Sequence, residues 1–284
     1  MNPISAAVRT GLRRGAIEIR QTLTSGQDLF GLAIWPLSSL ITLFFMRDAT
    51  FQSSEIGLGA LALPSLLGLL IVFNALFGVA GALATDREDG TLLRAKATPN
   101  GMTGYLTGKI VAAAALAVVP AVPVLIGGLA LMGDGLDFGT PDRWLALAAI
   151  TALGLLATLP LGAALGSLFT SPRNLGYLTL PIMGLVAISG IFYPITALPG
   201  WLQAVGQAFP IYWMGLGTRA AMLPDTAAAV EIDGSWRHLE TIAVLGFWAV
   251  IGLVLAPPFL RRMARRESGS SVAARREKAL QRAY

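Results

Sequence analysis

Six long apolar stretches, parted by short polar breaks, make up most of the chain. With about 20 apolar residues needed per crossing, they run Leu29–Met46, Ile56–Leu83, Ile110–Met132, Trp144–Phe169, Leu175–Phe192 and Thr241–Leu260. The pattern predicts an all-α integral membrane protein with six transmembrane helices in a unit spanning 29–260. Ahead of it, residues 1–28 predict an amphipathic helix. At 100° per residue Val8, Leu12, Ile19 and Leu23 fall within about 60° of one another, with Arg9, Arg13 and Arg20 beside them. Such a helix lies on the inner membrane surface with its arginines at the headgroups; an ordinary basic juxtamembrane segment is the alternative. No small-residue cleavage site follows Met46, so the first span reads as a retained anchor.

The break at 193–240 is too long for a simple connector. Leu198, Trp201, Leu202 and Val205 share one face of a short helix starting after Pro199. Trp201, Tyr212, Trp213 and Trp236 suit a membrane interface. One or two short helices are expected at the outer leaflet, as interfacial anchors or as a gate over an exit.

Composition agrees with this. Of 284 residues 55% are apolar and 13% charged, where a soluble domain carries roughly 25% charge. There is no Cys and one His, His238, which rules out disulfides and thiolate metal sites and argues against a His-based one. With the N-terminus inside, seventeen Lys and Arg fall in inner segments and four (Arg47, Arg143, Arg219, Arg237) in outer ones. The positive-inside rule therefore puts both termini in the cytoplasm and an even number of spans between them. That orientation accounts for the net charge of +5 without any nucleic acid, and residues 261–284 read as a basic cytoplasmic tail at the lipid surface.

The cores of the six stretches hold no Asp, Glu, Lys, Arg or His. This argues against proton-coupled carriers and intramembrane hydrolases, which need such groups at mid-membrane; a Na⁺ site of carbonyls and hydroxyls stays open. Asn74 is expected to bond across helices or to touch a substrate. Gly162 and Gly166 form a small-xxx-small face for helix packing or a substrate path. Pro120, Pro123, Pro160 and Pro181 are expected to kink or locally unwind their helices. "GYLTGK" fails as a phosphate loop, since Thr103 and Ile110 stand where Gly and Ser/Thr are required. The chain is read as non-enzymatic, with no cofactor of its own. The outer acids Asp134, Asp137, Asp142, Asp225, Glu231 and Asp233 show no constellation.

One passage resists the lipid reading. Between Ala84 and Lys109 seven charged residues of both signs occupy 26 positions, and Pro99 ends a run of good helix formers. Complementary charge sets register at a docking surface; the alternative is a solvated connector. "DREDGTLLRAKATP…GK" resembles the signature between the second and third spans of ABC-2 permeases: acidic-Arg-Glu-x-Gly-Thr-Leu, then Thr-Pro, then Gly-Lys opening the third span. Leu93 departs, where many members carry Glu. "SGIFYPITALPGWLQAVGQAFPIYW", Ser189 to Trp213, is similar to the family's second signature. The resemblance covers essentially the whole chain and is closest to daunorubicin-type drug-resistance permeases. It implies a type V exporter-like architecture in the inner (plasma) membrane, with two ABC ATPase subunits that use Mg-ATP and a second permease copy, identical or related. The 84–109 loop would act as coupling helix. Asp86, Arg87 and Glu88 would be polar docking contacts, Gly90 and Thr91 the turn, and Leu92 an apolar anchor in the ATPase groove. Pro199, Trp201 and Trp213 would belong to the outer-leaflet loop. The cargo is expected to be amphipathic or hydrophobic, a drug, antibiotic or lipid-like molecule; family exporters of polysaccharide, peptide or Na⁺ and, further off, a stand-alone channel or carrier are the alternatives. The Ala-, Gly- and Arg-rich composition points to a bacterium.

Overall fold

The computed structural model describes residues 3–49, 57–169, 171–266 and 268. Eleven α-helices appear among them and no strand: α1 (Pro3–Thr24), α2 (Gly26–Met46), α3 (Leu58–Glu88), α4 (Thr91–Lys96), α5 (Gly101–Val118), α6 (Ala121–Met132), α7 (Pro141–Leu168), α8 (Gly176–Ala187), α9 (Gly200–Gln207), α10 (Pro210–Met222) and α11 (His238–Arg266). The basic tail beyond 268 lies outside the described residues, as does Ile56 at the expected start of the second span.

α3 is the axis. It packs on α7, α10 and α5, while α11 lies along α7 and α1 along α5. Lipid is as apolar as leucine, so such helices are held by close approach and internal hydrogen bonds. Glycine supplies the approach: a Cβ on Gly162 would lie 2.4 Å from the Leu76 carbonyl oxygen, and one on Gly166 2.5 Å from the Ala80 Cα. Both positions of the small-residue face therefore press on α3. Of the four prolines only Pro120 interrupts its helix, parting α5 from α6; Pro123, Pro160 and Pro181 remain within α6, α7 and α8.

Among the described residues five segments are long and apolar enough to cross a membrane: Gly26–Met46, Leu58–Glu88, Gly101–Met132, Pro141–Leu168 and His238–Arg266. The expected fifth span differs. α8 has only 12 residues, about 18 Å at 1.5 Å per residue, against roughly 30 Å of hydrocarbon. A 3₁₀ turn, Pro172–Leu175, precedes it, and the backbone turns after Ala187, with Gly190 at φ 66°. The residues after this turn complete the passage. α7 ends beside the end of α3, joined through Arg87, and α11 ends beside α4, where Lys96 donates to the Ala264 carbonyl. Residues 169–238 thus carry the chain from one end of the bundle to the other.

Part of the segment expected at the outer interface, α10, is core instead. In α10 every residue but Gly217 is buried. Trp213 is 3% exposed and Trp236 6%, and Tyr212 is fully buried; only Trp201, at 68%, faces outward as an interfacial ring would. The reason is polar as well as apolar. Arg219 of α10 donates to Glu231 (2.7 Å) and to the Ser65 hydroxyl of α3 (2.8 Å). The Thr218 hydroxyl donates to the Pro64 carbonyl, and Arg143 of α7 donates to the Ala220 and Leu223 carbonyls at the end of α10.

Candidate functional site

The charged passage folds as a tight corner. α3 ends at Glu88; Gly90 then takes φ 79°, a left-handed conformation that costs any residue with a Cβ, and Thr91 opens α4. Asp89 holds the corner by accepting from the Thr91 amide at 2.8 Å, and Arg94 donates to the Thr91 hydroxyl. After Lys96 the chain turns again through Asn100, also at positive φ, into α5.

Three of the expected docking residues face inward. Leu92 is fully buried in a cluster with Leu83, Tyr105, Leu260 and Met263, so it anchors α4 to this chain's own helices and cannot fill a partner's groove. Asp86 is buried; it accepts from the Tyr105 hydroxyl at 2.7 Å and pairs with Lys109 at 2.9 Å. Arg87 donates to the Ser167 and Phe169 carbonyls at 3.0 and 2.7 Å, satisfying the end of α7, where carbonyls lack helical partners and a cation is favoured. Glu88 is half-buried, while Asp89, Arg94, Lys96 and the stretch 97–100 are exposed.

One residue that the sequence pattern does not single out completes the site. Glu18 of α1 pairs with Lys109 at 2.7 Å, so one ammonium joins α1, α3 and α5. Arg14 lies over the Tyr105 ring at 5.3 Å. α1 reaches this position on a glycine face. A Cβ on Gly11 would meet the Gly104 carbonyl oxygen at 2.4 Å, and one on Gly15 the Gly108 carbonyl oxygen at 2.8 Å. The order of these pairs makes α1 and α5 run the same way. The apolar face of the helical wheel is a different one: Leu12 and Leu23 on it stay exposed, at 47% and 36%, free to meet lipid. The signal was present as Gly-xxx-Gly in both partners.

Asn74 sits elsewhere. Its amide donates to the Leu70 carbonyl of its own helix at 2.8 Å instead of bonding across helices, and its side chain lines a cavity of about 390 Å³ between α2, α3 and α8. Ser38, Ser39 and Thr42 supply the other small polar groups of that wall. At the far end Pro199 caps α9, and Trp213 donates to the Gln207 carbonyl with Arg237 over its ring at 4.9 Å. Among the described residues no cluster of His, Cys, Asp or Glu could hold a metal ion.

No curated protein is similar enough to match the chain. The sequence model described as ABC-2 family transporter protein matches residues 41–256, which takes in most of the bundle, the corner at Gly90 and the α9–α10 segment. The chain belongs to the ABC-2 family of transporter membrane proteins.

Proposed function

We propose that this chain is the permease subunit of an ATP-driven exporter, with hydrolysis carried out by a separate ABC ATPase. The observation that carries the reading is the α4 corner: Glu88 and Asp89 where α3 ends, with Arg94 and Lys96 on α4, put charges of both signs on one surface, standing on a base of α3, α5 and α11. Such a surface suits a protein partner more than lipid. In this reading Glu88 and the outward side of Gly90–Asn100 meet the ATPase. Asp86, Arg87 and Leu92 act from behind, transmitting displacement of α4 to α5, α7 and α11. Residues 1–28 would be the cytoplasmic interface helix, 29–260 the transmembrane unit and 261–284 a cytoplasmic tail, in the inner membrane of a bacterium. Mg-ATP would be bound by the partner and no cofactor by this chain.

The cavity beside Asn74 supports an amphipathic or hydrophobic cargo, since few polar groups converge in an apolar wall. It opens beside α2 and α8, both thinly covered: α2 buries only Pro36, Ser39 and Leu43, and α8 only Val186. A second permease copy on that side would close the cavity, and two copies would carry two ATPases.

The test is a gentle-detergent pull-down from native membranes, comparing wild type with Asp89→Arg/Arg94→Glu, both exposed. An ATPase should accompany the wild type and fall away by about tenfold in the double variant, as reversal of complementary docking charges predicts. If no ATPase is recovered even after mild crosslinking, the exporter reading fails.

A further inference from the structure

A cavity of about 540 Å³ lies between α3, α5, α7 and α11, toward the end that carries α4. It is distinct from the Asn74 cavity and from a mainly apolar one of about 330 Å³ beside α8 and α10. Its volume falls in the range of sites that bury most of a small ligand. Leu83, Leu106, Leu159 and Leu260 form its wall. At its edge Ile110, Leu156 and Leu253 are 50%, 54% and 56% exposed, so it opens sideways through the surface these helices offer to lipid.

Two cations reach this cavity, Lys109 and Arg261, and no Asp or Glu lines it. The Lys109 charge is already answered by Asp86 and Glu18. Arg261 is exposed on the last turns of α11, beside Arg262, Arg265 and Arg266, and no salt bridge to it occurs among the described residues. The interior is therefore hydrocarbon, while the uncompensated charge at the mouth is positive. An anionic head on a hydrocarbon tail complements both. Membrane lipid meets a lateral opening at far higher concentration than any cargo, and occupancy follows concentration over Kd.

We propose that this cavity holds an acyl chain of a resident anionic phospholipid, with its phosphate at Arg261. Native mass spectrometry of the full chain in detergent, offered equal phosphatidylglycerol and phosphatidylcholine, tests it. One phosphatidylglycerol per chain should be retained in preference. Arg261→Glu should lower that occupancy by about tenfold, the scale of reversing one cation at a membrane surface. Arg262→Glu, which reverses a neighbouring charge outside the cavity, should leave it unchanged. Leu156→Trp should release both lipids by filling the mouth; Leu156 and Arg261 are exposed, so neither change disturbs packing. Equal retention of the two lipids by the wild type overturns the proposal. So does an Arg262→Glu loss as large as that of Arg261→Glu, or full retention in Leu156→Trp.

Discussion

Lys109 answers two carboxylates from two different helices, and its side chain is 7% exposed. Replacing it by Met leaves Asp86 and Glu18 without their cation, and breaking a buried pair from one side costs about 3–5 kcal/mol. Glu18→Gln keeps the Asp86–Lys109 pair, and with Glu18 at 29% exposure it should cost about 1 kcal/mol or less. The unfolding midpoint of the purified protein in detergent separates the two; equal losses would mean that Lys109 is not the hub. Leu92 makes a second case. Leu92→Ala should cost about 2–5 kcal/mol through the cavity it opens, seen in the same melt, whereas an anchor lodged in a partner's groove would leave the isolated chain's stability untouched. The sequence located the corner, because Gly90 and Pro99 are strong punctuation, but it could not orient a six-residue helix. The side that buries is decided by Leu83, Tyr105, Leu260 and Met263, which lie between nine and 171 positions away.

At the scale of elements, α1 is held to α5 by backbone proximity more than by hydrocarbon. Gly108→Leu would drive a side chain into the Gly11 carbonyl, 2.7 Å from where its Cβ would sit, and α1 should lift while α3, α7 and α11 stay packed. The natural chain has no Cys, so an Ala7→Cys reporter reads this directly. Its thiol should react several-fold faster with a maleimide in the Gly108→Leu background; an unchanged rate would separate α1 from the glycine face. The helical wheel favours another face of α1 because it weighs hydropathy, and glycine counts for little on that scale. The same weighting explains α8. An apolar run from Leu175 to Phe192 scores as a span, while the turn at Gly190 that stops it is a backbone property. α10 departs from expectation for a related reason, since Trp and Tyr look alike at a membrane interface and in a bundle core. The clue was Arg219, whose partner Glu231 lies 12 positions on.

For the molecule as a whole, cover is uneven. α3 is enclosed, whereas Tyr177 and Leu180 of α8 are 78% and 82% exposed, and Ile34 and Ile41 of α2 47% and 57%. If a second permease copy seats there, Leu180→Cys should give a disulfide-linked dimer when membranes are mildly oxidised. Leu253→Cys, equally apolar but on α11, should stay monomeric. Crosslinking at neither or at both positions would count against that seating. The bundle and its family were legible from apolar runs and the two motifs, because those are local; the unequal cover was not, since it depends on which helices the fold brings together.

The clamp between α1 and α5 also has a consequence in time. During synthesis α1 is finished about 85 residues before Lys109 exists, and at ~5–20 residues per second that gap lasts roughly 4–17 s. Through that interval the faces of Gly11, Gly15 and Glu18 have no counterpart, and the nascent segment must wait somewhere. The exposed Leu12 and Leu23, flanked by arginines, suit it to wait on the membrane surface. The two faces of α1 thus belong to two moments in the life of the chain, one to its birth at the ribosome and one to the finished bundle.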